Sequence, residues 1–481
     1  MPPVVPLLLL FLSLVLPNAL RAESARAGSS PDVLFIAVDD LNDWITLLDP
    51  DAPIATPNLQ RLARKGVSFT RAYAASPACN PSRVAVFTGL SAATTGVYGN
   101  TADWRAALPA AVTLPQAFRR AGYRVEGAGK IFHHHFGGAF HDADSFDDFL
   151  PLRDPPDAPM PGSKLNQLSE YGTANTDWGA WPEAEADSPD VRSVDWCIER
   201  LRQPRRQPLF LACGLFRPHM PFFVPARWLE RYPASKTVLP VISPDDLDDV
   251  PAAAKALLEP GAGRFWRGMH AAEAKRPGSW RDAVRHYQAS ATFADAQIGR
   301  LLDALESTPR GRAAIVVLWS DHGYQLGEKQ AWEKFTLWEK ATHVPLLIVA
   351  PGIAPPGTTC SRPVSLLDLY PTLSELAGLA VPSGIEGLSL VPLLRDPSAR
   401  SDRPAVMTYL RGNHAVRSER WRYIRYANGE EELYDHDADP REWINLASRP
   451  ELAPVKTDLA RWLPRHDAPA ARDLPRPRQK R

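Results

Sequence analysis

The chain has 481 residues, 44% of them hydrophobic, which is enough to bury a large core and to form more than one domain. Positive and negative side chains balance to a formal net charge of zero, and no basic stripe crosses the body of the chain, which argues against nucleic acid as the main partner. The 48 prolines are scattered without a repeat, which excludes a fibrous or low-complexity protein.

The N-terminus, 1–27, is predicted to be a signal peptide. An apolar run from Val4 to Leu16 is shorter than the ~20 residues that span a bilayer. Small residues that suit signal-peptidase cleavage follow at Ala22, Ala25 and Ala27. No Lys or Arg precedes the run, so an uncleaved anchor is the alternative. We therefore expect an exported protein, periplasmic or secreted, without a stable membrane partner.

Buried strands alternate with helices along the middle of the chain. Continuous apolar runs that are typical of strands buried on both faces occur at 32–38, 208–213, 313–320 and 344–350. Helical patterns lie between them, notably from Tyr287 to Leu305. The alternation predicts an α/β fold, with a large and mostly parallel central sheet flanked by helices, in a catalytic domain of 31–394.

Acidic residues end two of these runs. Asp39 and Asp40 follow the first, and Asp321 and His322 follow the third. Ligands of open α/β sheets gather beyond the carboxyl ends of the strands, so these side chains are expected at one edge. Adjacent buried carboxylates repel each other, and a hard cation such as calcium or magnesium relieves that repulsion. A solvated turn is the alternative interpretation of each pair.

Basic side chains in four further motifs are candidate donors around an anion. They occur in Cys-Asn-Pro-Ser-Arg, Gly-Lys-Ile-Phe-His, Arg-Pro-His and Trp-Glu-Lys-Phe. The candidates are Arg83, Lys130, His133, His219 and Lys334. For any one of them alone, surface charge or loop packing is the alternative.

The composition of the sequence changes near residue 395. A polar linker at 395–402 precedes short extended runs at 405–410 and 421–426. They predict a small C-terminal subdomain, 395–463, that is built on a short antiparallel sheet. The Pro- and Arg-rich tail, 464–481, is predicted to be disordered.

The pentapeptide from Cys79 to Arg83 resembles the Cys-x-Pro-Ser-Arg signature of sulfatases. From Asp32 to Ala447, the order and spacing of further motifs are similar to those of type I sulfatases of the alkaline phosphatase superfamily. Asp321-His322, Gly-Lys-Ile-Phe-His and Trp-Glu-Lys-Phe make the chain most similar to iduronate-2-sulfatases and their bacterial relatives. Arg217 departs from the Lys that many members carry before Pro-His.

This resemblance implies a sulfuric ester hydrolase that uses formylglycine. A maturation enzyme would oxidise Cys79 to formylglycine, whose hydrate attacks the sulfur of a sulfate ester. One calcium ion per chain would be bound by Asp39, Asp40, residue 79, Asp321 and His322. Arg83 would hold the hydrate, and His133 would act as a base near it. Lys130, His219 and Lys334 would neutralise the sulfate oxygens.

The substrate is expected to be a sulfated saccharide, most specifically a 2-O-sulfated uronic acid of a glycosaminoglycan or other polysaccharide. The uronate carboxylate needs a cation, for which Arg411, His414 and Arg417 are candidates, with solvated surface charge as the alternative. Two other functions remain open. One is a phosphate or phosphonate ester hydrolase of the same superfamily, and the other is a catalytically dead secreted glycan-binding protein.

Overall fold

The structure, a computed structural model, describes residues 30–133, 140–152, 160–173 and 175–475. The predicted signal peptide lies outside them. Within the described ranges, no helix is both long enough and apolar enough to cross a bilayer.

The strands and helices follow one another in the alternation that the sequence predicts. The strands are β1 Val33–Val38, β2 Val67–Tyr73, β3 Arg124–Gly129, β4 Asp148–Pro151, β5 Trp178–Ala180, β6 Leu209–Leu215, β7 Phe222–Val224, β8 Ile315–Ser320, β9 Gln325–Leu326, β10 Trp332–Glu333, β11 His343–Val349, β12 Thr358–Cys360, β13 Val364–Ser365, β14 Ala405–Thr408, β15 His414–Arg417, β16 Trp421–Arg425 and β17 Glu431–Asp435. The α-helices are α1 Pro57–Ala63, α2 Cys79–Thr88, α3 Ala92–Thr95, α4 Trp104–Ala107, α5 Leu114–Arg120, α6 Pro189–Arg202, α7 Ala226–Leu229, α8 Ala252–Leu258, α9 Ala262–Lys275, α10 Ser279–Glu306, α11 Pro309–Arg312, α12 Glu339–Thr342, α13 Leu369–Leu376, α14 Val391–Arg395 and α15 Ala453–Ala460.

The central sheet places β1 in its middle. Its strand order is β12-β2-β11-β8-β1-β6-β3-β4, and β13 also pairs with β2. The strands β6 and β8 run parallel to β1 on either side, whereas β11 is antiparallel to both β8 and β2. The predicted α/β class with a mostly parallel sheet is confirmed.

Helices cover both faces of this sheet. The side chains of a strand alternate between these two faces, so every position in a central strand is buried under helices. In β1, Leu34, Ile36 and Val38 belong to the apolar layer under α1, α6 and α10. Val33 and Phe35 belong to the opposite layer, under α2, α5 and α13. Each strand of the sheet centre therefore needs apolar residues at every position, which is the pattern that the sequence shows.

The C-terminal part contains the predicted antiparallel sheet, in the order β14-β15-β16-β17. One face packs through Met407 and Ile424 against a cluster that includes Trp338. The other face, with Leu433, is covered by Leu459 of α15. This sheet is therefore buried on both sides.

The described part of the C-terminal tail, 464–475, differs from the expected disorder. It lies extended along 93–103, and Ala468, Ala471 and Leu474 each donate a backbone N–H to that segment. Composition predicts disorder from the scarcity of apolar residues. The tail takes its hydrogen-bond partners from a distant part of the chain, which composition does not register.

Candidate active site

Strand register brings the predicted acidic residues together. Val38, the last residue of β1, is opposite Leu215 of β6 and Ser320 of β8. The next residues, Asp39 and Asp321, therefore leave the same edge of the sheet. On the far side of β6, Gly129 is opposite Gly214, so Lys130 leaves that edge too. The predicted convergence of strand ends is present in the structure.

Helix α2 brings the Cys-Asn-Pro-Ser-Arg motif to the same edge. Cys79 and Arg83 lie four residues apart, so both are on one side of the helix. The Cys79 sulfur lies 3.2 Å from Nε2 of His322 and 3.7 Å from Nζ of Lys130. The His133 side chain also lies close enough to the Cys79 thiol to lower its pKa. Cys79 is 1% exposed.

Arg83 binds two carboxylates of the acidic cluster and holds them in place. Its Nε donates to Asp321 Oδ2 at 2.8 Å, and its Nη2 lies 3.3 Å from Asp39 Oδ1. Its Nη1 donates to the carbonyl oxygens of Lys130 at 2.6 Å and Ile131 at 3.0 Å. The Arg83 side chain is fully buried. This cation is thus committed to carboxylates and carbonyls of the protein.

The other basic side chains of the cluster also lie close to the carboxylates. Lys334 Nζ lies 2.9 Å from both carboxylate oxygens of Asp40, and Lys130 Nζ is paired with Asp39. His219 Nε2 lies 4.0 Å from Asp40 Oδ2. The side chain of His219 is 24% exposed, against 5% for Lys334, which marks His219 as the solvent-facing member of the group.

The backbone of Asp40 is held in an unusual conformation. Its φ of 61° lies in the left-handed region, which is costly for a residue other than Gly and is often found at functional sites. The Tyr287 hydroxyl donates to Asp40 O at 2.7 Å and accepts from Asn42 N at 3.0 Å. Tyr287 is buried in the middle of α10, where its helical spacing predicts only a core residue. The sequence carried no signal for this positioning contact.

Neighbouring positive charges lower the pKa of the Cys79 thiol. Burial acts to raise the pKa of the Cys79 thiol, but Lys130 and Lys334 oppose it and bring the pKa well below 9.0. Burial also acts to raise the pKa of Asp39, and Lys130 again lowers it to well below 3.8. The site therefore favours negative charge at the position of the sulfur.

Neighbouring negative charges raise the pKa values of Asp321 and His322. Burial raises the pKa of Asp321 to about 7, with Arg83 opposing the shift and Asp39 adding to it. Burial acts to lower the pKa of His322, but Asp321 and the Cys79 sulfur raise it to about 9. The carboxylates thus attract positive charge to the imidazole.

The cluster contains two groups of donor atoms that lie close enough together to bind a metal ion. Asp39, Cys79, Asp321 and His322 each offer one donor atom, and these atoms lie within 4.8 Å of one another. Asp40 forms a second such group with Cys79 and His219. Nδ1 of His322 lies 3.0 Å from the carbonyl of Gly323, which fixes Nε2 as the atom that faces the cluster. Carboxylate oxygens are the ligands that calcium and magnesium prefer.

A clamp on residue 80 is a feature that motif reading missed. The side-chain amide of Asn80 donates to the carbonyls of Gly99 at 3.1 Å and Ala102 at 2.9 Å. The backbone N–H of Asn80 donates to Oδ1 of Asn100 at 3.0 Å. These contacts join residues about twenty apart in the sequence and fix the first turn of α2. The variable position of the motif therefore has a structural task in this chain.

The candidate cations for a uronate carboxylate are in large part engaged elsewhere. Arg417 is buried and paired with Glu339, and His414 is buried between Thr408 and Asp467. For these two, the expectation of a recognition role is wrong, because folding of the C-terminal sheet turns them inward. Arg411 is exposed and donates to the carbonyl of Asp467 at 3.2 Å.

The fold and the site define an α/β protein with a buried cluster of carboxylates and basic side chains at one edge of its central sheet. The sulfatase family profile matches residues 31–379, and the profile of the N-sulphoglucosamine sulphohydrolase C-terminal region matches 327–468. A Formosa agariphila protein named sulfatase is 39% identical over 461 residues, which cover 93% of this chain and 89% of the relative. The chain belongs to the sulfatase family.

Other relatives have more specific names. The choline-sulfatase of Rhizobium meliloti is 30% identical, with 87% of this chain and 83% of the relative covered. Human iduronate 2-sulfatase is 28% identical, with 97% and 86% covered. Among solved structures, the phosphonate monoester hydrolase of Agrobacterium radiobacter has a TM-score of 0.73 at 23% identity, with 90% and 94% covered. That last likeness is one of fold.

Proposed function

We propose that this sulfatase is exported and removes sulfate from a sulfated saccharide, using residue 79 as formylglycine together with one calcium ion. The observation that carries the proposal is the position of Cys79. It lies at the first turn of a buried helix, within 3.7 Å of Lys130 and 3.2 Å of His322, beside three buried carboxylates. Calcium held by Asp39, Asp40, Asp321 and His322 would polarise the sulfate group, and formylglycine would supply the attacking oxygen.

The charge of the centre suits an anionic ester. Three carboxylates, Asp39, Asp40 and Asp321, are matched by three permanent cations, Arg83, Lys130 and Lys334. A dication added to this set leaves excess positive charge where residue 79 stands. A sulfate monoester carries one negative charge, and desolvated cations stabilise it far more strongly than they would in water.

The basic residues have separable tasks in this proposal. Lys130, whose Nζ lies 3.7 Å from the sulfur of residue 79, and Lys334, which is paired with Asp40, would neutralise the sulfate oxygens, while Arg83 keeps the carboxylates fixed. His133 lies beside residue 79 and would take a proton from a hydroxyl group of the formylglycine hydrate. His219, half-open to solvent, is placed to give a proton to the leaving alcohol at the mouth of the site.

The finer substrate that we propose is a 2-O-sulfated uronic acid at the end of a saccharide chain. Its support is the similarity to human iduronate 2-sulfatase, which extends over 97% of this chain. The choline-sulfatase of similar identity makes a small sulfate ester the natural competitor in any test.

The decisive experiment measures sulfate release by enzyme that has been co-expressed with a formylglycine-generating enzyme. The panel comprises a 2-O-sulfated uronate disaccharide, 6-O-sulfated glucosamine, choline sulfate, 4-nitrophenyl sulfate and a phenyl phosphonate monoester, with Cys79→Ala as the blank. We expect the uronate disaccharide to have the highest kcat/KM. Faster turnover of 6-O-sulfated glucosamine or choline sulfate would overturn the substrate, and faster turnover of the phosphonate would overturn the sulfatase activity.

Peptide mass spectrometry of the same preparation tests the modification. We expect the thiol of Cys79 to be replaced by an aldehyde. An active preparation in which residue 79 is cysteine throughout would contradict the proposal.

A further inference from the structure

The C-terminal tail is bonded to a segment that itself touches the reacting centre. Ala471 N donates to Gly96 O at 2.8 Å, and Leu474 N donates to Thr101 O at 2.7 Å. In return, Asp103 N donates to Arg472 O at 2.8 Å. The approach is close, since a Cβ on Gly96 would stand 2.2 Å from the carbonyl oxygen of Pro469. The tail therefore docks as a strand-like edge.

The opposite side of this segment holds the residue next to the nucleophile. The carbonyls of Gly99 and Ala102 accept from the Asn80 amide, as described above. The Thr101 hydroxyl, between them, donates to Asp473 Oδ1 of the tail at 2.7 Å. A continuous line of hydrogen bonds thus runs from the tail to the turn that carries residue 79.

A cavity of about 290 Å³ opens where these parts meet. Its lining includes Trp104, Arg105, His133, Asp142 and, from the tail, Leu474. Ala102 also lines the cavity, and its carbonyl accepts from the Asn80 amide at 2.9 Å, so the cavity adjoins the turn that carries residue 79. Its volume lies at the small end of ligand pockets, which span roughly 300–1,000 Å³.

The polar groups of the cavity are matched in charge. Arg105 Nε lies 3.3 Å from Asp142 Oδ1, and its Nη2 pairs with the other carboxylate oxygen. The Arg105 guanidinium also lies 4.2 Å above the ring of Trp104, which stacks on Phe132. Arg105 Nη1 also donates to the carbonyl of Ala111 at 3.1 Å, and Ser145 Oγ donates to Asp142 Oδ2 at 2.5 Å. The pair is therefore fixed and neutral, and a ligand would bind to the remaining guanidinium N–H groups and to Asp142 Oδ1. That chemistry suits neighbouring hydroxyl groups better than it suits a second anion.

We propose that this cavity binds the sugar ring that carries the sulfate ester, with the Arg105–Asp142 pair bonded to ring hydroxyls and the tail as its outer wall. The inference rests on the proposed sulfatase function and names a specificity site for it. Asn80 is a positioning residue in this scheme, because it transmits the docking of the tail to residue 79.

The test fills the cavity from the tail side. In Leu474→Trp, the larger side chain takes the place of the sugar ring. We expect kcat/KM for the 2-O-sulfated uronate disaccharide to fall at least 10-fold more than kcat/KM for 4-nitrophenyl sulfate, mainly through KM. Arg105→Gln, which loses the bidentate pair, is expected to shift the same ratio in the same direction. Arg472→Ala, an exposed change on the tail, is the matched control and should leave the ratio unaltered.

Binding of the desulfated disaccharide, measured by calorimetry, provides a readout that does not need the matured centre. We expect Leu474→Trp to abolish binding that the wild-type protein shows. Equal losses on both esters in folded Leu474→Trp and Arg105→Gln, or unchanged binding of the disaccharide, would overturn the sugar site. Absence of sulfate release from every ester by the wild-type enzyme would instead overturn the proposed function.

Discussion

Replacement of Glu339 by Gln would remove one charge from the joint between the central and C-terminal sheets. Glu339 Oε1 accepts from the Tyr73 hydroxyl at 2.9 Å, and Oε2 lies 3.1 Å from Arg417 Nε and is also paired with Arg422. Burial acts to raise the pKa of Glu339, but the two arginines lower it to well below 4.5, so the side chain is charged. Gln has the same shape without the charge.

The size of the effect follows from what each arginine keeps. Arg422 is fully buried and retains Glu442, at 2.7 Å from its Nε, and the carbonyl of Leu337. Arg417 retains backbone carbonyl partners, including that of Glu419 at 3.1 Å. Breaking a buried ion pair from one side costs about 3–5 kcal/mol. Since Arg422 keeps a carboxylate, we expect the low end, about 3 kcal/mol, which is a large part of a typical 5–15 kcal/mol stability.

Urea unfolding followed by tryptophan fluorescence measures this loss. The matched control is Glu259→Gln, whose partner Arg267 and own side chain are both more than half exposed, and whose expected effect is below about 1 kcal/mol. If Glu339→Gln loses no more free energy of unfolding than Glu259→Gln, the buried network does not join the two sheets as described.

Three further predictions concern the acid side of the pH range and the centre itself. Burial acts to raise the pKa of Asp43, but Lys340 and His343 outweigh it and lower the pKa from 3.8 to about 2; its stabilisation of about 2 kcal/mol is therefore complete above pH 4 and lost between about pH 4 and 2. The difference in free energy of unfolding between wild type and Asp43→Asn should shrink over that interval, and a constant difference would contradict the ion pairs. Asp321→Ala should lose bound calcium and roughly 10²–10³-fold in kcat/KM, with exposed Asp51→Ala as the control; survival of both metal content and rate would remove Asp321 from the ligand set. Cys79→Ser should release at most one equivalent of the alcohol and no free sulfate, because serine has no second hydroxyl to expel the sulfate group that it has taken up, and sustained turnover near the wild-type rate would refute a formylglycine mechanism.

The strands at the middle of the central sheet were predictable, and those toward its edge were not. β1, β6, β8 and β11 are long apolar runs, because both of their faces are covered by helices. β3 reads as Arg-Val-Glu-Gly-Ala-Gly and does not show that pattern. Close packing requires glycine in this strand, since a Cβ on Gly129 would stand 1.9 Å from the carbonyl oxygen of Gly214. The hydrophobic pattern of a strand indicates how buried the strand is. The close approach of two backbones depends instead on a residue far along the chain.

The same distinction separates the predicted and missed residues of the site. Asp39 and Asp321 follow predicted strands, so their meeting at one edge follows from parallel pairing. Asn80 is held by contacts with 99–102, and the tail is held by backbone hydrogen bonds with 93–103. No periodicity reports which loop will lie against which helix turn. The inward turn of Arg417 was missed for a similar reason, since its partner Glu339 lies 78 residues away.

The placement of β1 between β6 and β8 has a consequence for the timing of assembly during synthesis. Cys79 is enclosed by His322, which is 243 residues further along the chain. At ribosomal rates of about 5–20 residues per second, that separation corresponds to roughly 10–50 s. During this interval β8 is still missing, and the turn around Cys79 has no closed pocket to enter. Under the proposed function, the enzyme that oxidises Cys79 would have access to it during this interval, before β8 completes the pocket.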